Sequence, residues 1–245
     1  MGFVLAGVTH LGAVSAFGAE ESPASKAPAE AAVPSSAQAD VTLSAEEQKV
    51  VELFEKVGAL FMQRNFAEAS SVLDEVEKLK PGSPEVTMVR AGIFAETGQI
   101  DKAREIYVKE VEANPDAFVP NFNLVELLCM EKKYAEAREG FEKLLLKFPE
   151  NDFLQFKILL TCLAEGKMTD AAIWAQKLQR QVQTPIMIYA AAAISIRSGD
   201  LEMGKKLILL AENQYGAGNQ FLLYQSLAGI NLVLQSDYPP KPAQK

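Results

Sequence analysis

Alanine recurs at a fixed step of 34 residues, at Ala69, Ala103, Ala137 and Ala171. No other feature restricts the fold as much, because the residues around it keep the same phase. Three positions earlier stand Phe66, Ile100, Tyr134 and Met168, and four positions later Leu73, Tyr107, Phe141 and Ala175. Twelve positions later stand Pro81, Pro115 and Pro149, with Gln183 and then Pro185 in the fourth copy. Gly98, Gly166 and Gly199 punctuate the turn before the small residue, and a fifth, weaker copy puts Gly204 in its place after a step of 33. A period of this length means that one supersecondary unit is stacked on copies of itself. Each unit then buries an apolar face that it cannot bury alone.

Between residues 44 and 236 the apolar pattern is helical, and the alternation and hairpin turns of strands are absent. Each repeated residue has a physical task. A small side chain where two helices cross lets the backbones approach, and a larger one would overpack. The large residue four positions later fills the space beside it, and the proline ends the helix because it lacks a donor and clashes with the preceding turn. Asp74–Lys78, Glu105–Lys109 and Glu139–Lys143 place an acid four residues before a base, which suits an exposed helix face.

The period, the small residue, the large residue after it and the terminal proline resemble the tetratricopeptide repeat over residues 44 to about 217. The resemblance implies an all-α, right-handed superhelical solenoid of antiparallel helix pairs, about five repeats followed by a C-terminal helix. It also implies a protein-binding scaffold. One departure stands out. The large aromatic that the family carries early in the first helix is replaced by Thr87, Asn121, Gln155 and Ile188, and the single tryptophan, Trp174, falls on a second helix.

The chain divides into four parts. Residues 1–18 read as a signal peptide: no side chain from Met1 to Ala19 is formally charged, and Ala16 and Gly18 are small residues of the kind a signal peptidase reads. The first lysine is Lys26, so a basic start is missing. Residues 19–43, rich in Ala, Pro, Ser and Glu, read as a disordered linker, residues 44–236 as the solenoid and residues 237–245 as a flexible tail. Ser44 and Glu47 form the pattern of a capping box at the first helix. The expected location is exported, periplasmic or otherwise extracytoplasmic. No later run reaches the roughly 18–20 apolar residues of a membrane-spanning helix.

Catalytic chemistry is nearly missing. The sole histidine, His10, falls in the signal segment, which leaves the rest without the commonest general base and metal ligand. There is no phosphate-binding glycine loop, nucleophile elbow or spaced cysteine cluster. No enzyme activity, catalytic residue, metal or cofactor is expected. Cys129 and Cys162 read as two buried thiols, since a bridge would require their Cα atoms within about 7 Å. A net charge of −8, from 24 basic and 32 acidic residues, argues against nucleic acid or an anionic membrane as the main partner.

In the resembled family the first helices line a concave groove. The matching residues here are Met88, Phe122, Phe156 and Tyr189, with Phe153 and Ile186 one turn earlier. They are the expected contacts for an apolar peptide or helix of a partner, and Glu85, Glu96 and Glu126 are expected to edge the N-terminal end. The opposing expectation is that Phe122 and Phe156 have taken over the core position of the missing aromatic. The clamp of Lys, Asn and Arg by which some members of the resembled family hold a C-terminal carboxylate is not recognisable: Asn123 and Lys157 are isolated candidates, which argues against a chaperone-tail receptor. The stretch Asn219 to Ser236 carries no charge and is expected to tuck against its own repeats; the second option is a homo-dimer, with Phe221, Tyr224 and Leu227 as its candidate contacts. Three functions follow: an exported protein-binding scaffold, a cytoplasmic secretion-type chaperone, or a structural homo-oligomer built on the C-terminal helix.

Overall fold

Eleven α-helices and no strand occur among the residues that this computed structural model describes, which are 44–179, 183–216, 220–234 and 237. The expected signal segment, the linker and all of the tail but Asp237 lie outside the described residues. Ten helices form five consecutive hairpins. These are α1 (Ala45–Met62) with α2 (Phe66–Leu79), α3 (Pro84–Glu96) with α4 (Ile100–Ala113), α5 (Phe118–Met130) with α6 (Tyr134–Lys147), α7 (Asp152–Ala164) with α8 (Met168–Lys177), and α9 (Pro185–Arg197) with α10 (Leu201–Tyr215). A short α11 (Phe221–Gly229) follows.

Local chemistry sets these boundaries. Ser44 and Glu47 form the expected capping box on α1. Ser83, Asn151, Thr184 and Asp200 accept backbone N–H bonds at the starts of α3, α7, α9 and α10. The repeated prolines stand just past the ends of α2, α4 and α6, beyond the cap residues Lys80, Asn114 and Phe148. Phe66, Ile100, Tyr134 and Met168 each open a second helix.

The turn inside every hairpin has one geometry. One residue between the two helices is left-handed, with φ near +60° at Arg64 and Lys132 and +79° to +96° at Gly98, Gly166 and Gly199. The residue after it donates its backbone N–H back to the last turn of the first helix, as in Gln99 to Phe94 O at 2.8 Å and Lys133 to Leu128 O at 2.9 Å. Glycine meets this requirement without strain, so Arg64 and Lys132 occupy the glycine position against their own preference.

The four phased alanines are fully buried. Gly204 shows why the fifth copy uses glycine: a Cβ there would overlap Cγ1 of Ile196 on the facing helix. Leu73, Tyr107 and Phe141 fill the core beside the alanines with no exposure, whereas Ala175 is half-buried. One large apolar cluster runs from α5 to α11, a second joins α1, α2 and α3, and a third joins α3, α4 and α5.

Charges link neighbouring hairpins in register. Arg104 reaches Glu131 at 2.8 Å, and 34 residues on Arg138 reaches Glu165 at 3.1 Å. Of the expected four-apart pairs, Glu105–Lys109 closes at 2.8 Å, while Asp74 accepts instead from Arg90 of the next hairpin at 2.9 Å. These exposed contacts contribute little to stability individually, but they fix how one hairpin sits on the next.

Candidate partner-binding site

The first helices hold the residues expected to bind a partner, and the structure places most of them inside. Phe122, Phe156 and Tyr189 have no exposure, Phe153 has 3% and Met88 6%. Ile186 is half-buried on the first turn of α9. The expectation of an open aromatic trough is therefore corrected. The Phe122 ring lies 5.5 Å from Phe141 of α6 and 5.6 Å from Phe153 of α7, while Phe118 stacks on its other side at 5.6 Å. Phe122 thus fills the core one residue after Asn121, the position where the resembled family carries its aromatic, and the half-buried Asn121 donates its side-chain N–H to the backbone of Ala117 at 2.8 Å. Tyr189 turns its hydroxyl onto Glu212 of α10 at 2.8 Å and stitches the fifth hairpin together.

The acidic edge is also corrected in part. Glu85 is exposed, but Glu96 is taken by Arg64 at 2.8 Å. Glu126 is fully buried and meets Lys157 of α7 at 2.8 Å, under a side chain only 5% exposed. The Lys157 ammonium also lies 5.7 Å from the centre of the Phe141 ring. Asn123 is enclosed as well, beside the buried Tyr107 hydroxyl. Neither Asn123 nor Lys157 is available as a carboxylate clamp. This ion pair bridges two first helices that are not adjacent in sequence, and the 31-residue separation of its partners is one turn short of the repeat step. That offset was the available signal in the sequence, and it is legible only once the two helices are known to face each other.

The C-terminal helix is tucked against its own chain, the first of the two expectations for it. Tyr224 and Leu227, expected as dimer contacts, are buried at 3% and 0%, and Phe221 is half-buried. A helix continuing the stack would lie against both α9 and α10. The principal neighbours of α11 are instead α9 and α7. Tyr215, at the end of α10, donates its hydroxyl to Gln183 O before α9, so α10 ends beside the N-terminal end of α9. After α11, Ile230, Asn231 and Leu232 line a cavity together with Leu163 and Ala164 at the end of α7, Arg197 at the end of α9, and Lys132 and Tyr134 at the α5–α6 turn. The segment therefore runs along the first helices and back toward earlier repeats. The Tyr224 hydroxyl closes it by donating to Leu234 O at 3.1 Å.

Both cysteines are free and buried. Burial first, then the Glu126 carboxylate, pushes the Cys129 thiol up to about 12, and burial pushes Cys162 up to about 11. No group of three metal-binding side chains occurs among the described residues, and no described helix is long and apolar enough to cross a membrane.

Comparison with known proteins bears on the fold. The sequence pattern of the family described as "Tetratricopeptide repeat" matches residues 56–118. The crystal structure of TTC0263, a thermophilic tetratricopeptide protein of Thermus thermophilus, superposes with a TM-score of 0.55 at 16% identity, covering 76% of this chain and 99% of that one. A Pseudomonas aeruginosa PilF structure reaches a TM-score of 0.48 at 17% identity over 81% of this chain and 96% of its own. The human protein O-mannosyl-transferase TMTC1 is 28% identical over 115 residues, which is 45% of this chain and 13% of that protein. This chain thus matches only a small part of that relative.

Proposed function

Because the chain is a tetratricopeptide-repeat protein, an all-α helical repeat solenoid, we propose that it is a non-catalytic protein-interaction scaffold. Its binding surface is the inner side of the first helices in the C-terminal half, and its partner supplies an apolar helix. One observation supports this reading above the others: α7 and α9 already hold an uncharged apolar helix, α11, whose Leu223, Tyr224 and Leu227 enter the core. A surface that accepts one such helix has the shape and dryness to accept another of the same chemistry. The outer helices do expose apolar residues, among them Leu146, Ile173 and Leu210, but these are dispersed over α6, α8 and α10, and no described helix is seated on them.

Hydrogen exchange on a captured complex tests the proposal. Partner binding is expected to slow exchange in α5, α7 and α9. Slowing confined to α8 and α10 would overturn it. Export is part of the same proposal and rests on the uncharged stretch Met1 to Ala19. Mass spectrometry of the mature protein is expected to find a start after Gly18. A start at Met1 would favour a cytoplasmic secretion-type chaperone with the same surface.

A further inference from the structure

α11 has the properties of a bound ligand that happens to be covalently attached. It is nine residues long, shorter than the roughly 12–15 residues that an isolated helix needs to persist in water, so the surface beneath it maintains its shape. Its N-terminal residue Gln220 makes no side-chain cap bond. Leu223 to Leu227 are five consecutive buried residues. At about 100° per residue these positions go all the way round the helix, so α11 is sunk between walls and does not lie on a flat end. It includes Gln225 and Ser226, and Ser226 satisfies its own hydroxyl by bonding back to Leu222 O at 2.8 Å. No residue from Asn219 to Ser236 is charged. The joint before it is Gly216, at φ 95° and ψ 125°, a conformation that glycine alone adopts readily.

We infer that α11 is a resident competitor: it occupies a helix-binding site on α7 and α9 and is displaced by a partner helix of its own chemistry. That chemistry is an uncharged helix with Leu, Tyr and Leu at positions i, i+1 and i+4, matching Leu223, Tyr224 and Leu227. A helix with charges at the positions of Leu223, Tyr224 and Leu227 does not fit, since those three side chains enter the apolar core. The covalent link gives α11 a high effective concentration, on the order of millimolar for a short tether, so weak ligands are rejected and only a well-matched helix enters. This rests on the scaffold reading and adds partner class and regulation to it.

The test uses the full chain with a specific protease site replacing residues 217–219, cut after folding. The probe is a fluorescein-labelled peptide with the sequence of residues 219–236. Cut protein is expected to take up the probe saturably, and uncut protein to bind it at least ~100-fold more weakly. A Leu223→Asp, Leu227→Asp peptide is expected not to compete, while an unrelated uncharged peptide with the Leu-Tyr-x-x-Leu pattern is expected to do so. Absence of exchange in cut protein that still melts as one unit makes α11 permanent core and overturns the inference. The scaffold reading would survive that result, because protection of α5 by a partner is measured separately. If cutting unfolds the chain, the intact Leu227→Asp variant replaces it. Tighter probe binding than wild type is then expected, and no gain overturns the inference. Concentration-dependent dimers of uncut protein that exclude the probe would also overturn it, since the occupant would then be a second copy.

Discussion

The two helices of each hairpin solve different problems, and the fourth hairpin shows the contrast at its sharpest. In α7 every residue from Phe153 to Leu163 is buried, whereas Ala171 is the one buried residue of α8. The outer helix touches its partner along one narrow stripe and water on the rest. The inner helix is packed by α6, α8, α9 and α11 on all sides. An outer helix can therefore be read from its stripe, and an inner helix cannot. Its apolar side chains lie around the whole circumference, and even Gln155, Lys157 and Thr161 are buried, so the pattern does not select a rotation.

The strongest way to break this contrast is to delete an inner ring. Phe122→Ala is expected to cost about 3–5 kcal/mol in urea unfolding, as for a fully buried aromatic. A loss within about 0.5 kcal/mol would place Phe122 on an open surface after all. The buried charge pair comes next. Lys157→Met alone is expected to cost about 3 kcal/mol, because it leaves Glu126 buried without its counter-ion, and adding Glu126→Leu is expected to restore most of the loss. If the double variant is no better than the single one, the pair has a role beyond mutual neutralisation.

Adjacent alanines on one helix sharpen the outer side of the comparison. Ala171 is fully buried and Ala172 is exposed. Ala171→Leu is expected to cost about 1–3 kcal/mol by overpacking the helix crossing, and Ala172→Leu less than about 0.5 kcal/mol. The turn gives a smaller gain: Lys132→Gly, at φ 60°, is expected to raise stability by about 1 kcal/mol by removing left-handed strain.

The thiols report inner burial with the smallest energetic effect. At pH 8 neither Cys129 nor Cys162 is expected to react with a thiol reagent in the folded chain, and both should react in denaturant. Folding favours the protonated thiol. The Cys129 contribution is therefore fully present below its ordinary value of 9.0 and is lost as pH rises through 9.0 toward about 12. Fast labelling of Cys162 in the native state would mean that α7 is less enclosed than its neighbours imply.

Much of the architecture was legible because it repeats. The step of 34 set the number of hairpins, and the alanine, its large neighbour and the proline located the outer helices almost residue by residue. Ser44 with Glu47 marked the start of α1. The inner surface was not legible in the same way. Phe122 and Phe156 stand at the register where the resembled family displays binding groups, yet both are fully buried, Phe122 among the rings of Phe118, Phe141 and Phe153. Glu126 and Lys157 each read alone as a surface charge, and their burial against one another shows only when α5 and α7 are brought together.

The sequence by itself determined helix, turn and period, because each of these depends on near neighbours along the chain or on a residue's own backbone preference. Tertiary structure alone decided which side of a largely apolar helix faces inward, that Glu126 meets Lys157, and that α11 returns to α7 and α9 instead of extending the stack. Those outcomes depend on what the other helices leave uncovered. Free energy of burial rewards the covering of apolar area without regard to sequence distance, so no local pattern records which segment will do it.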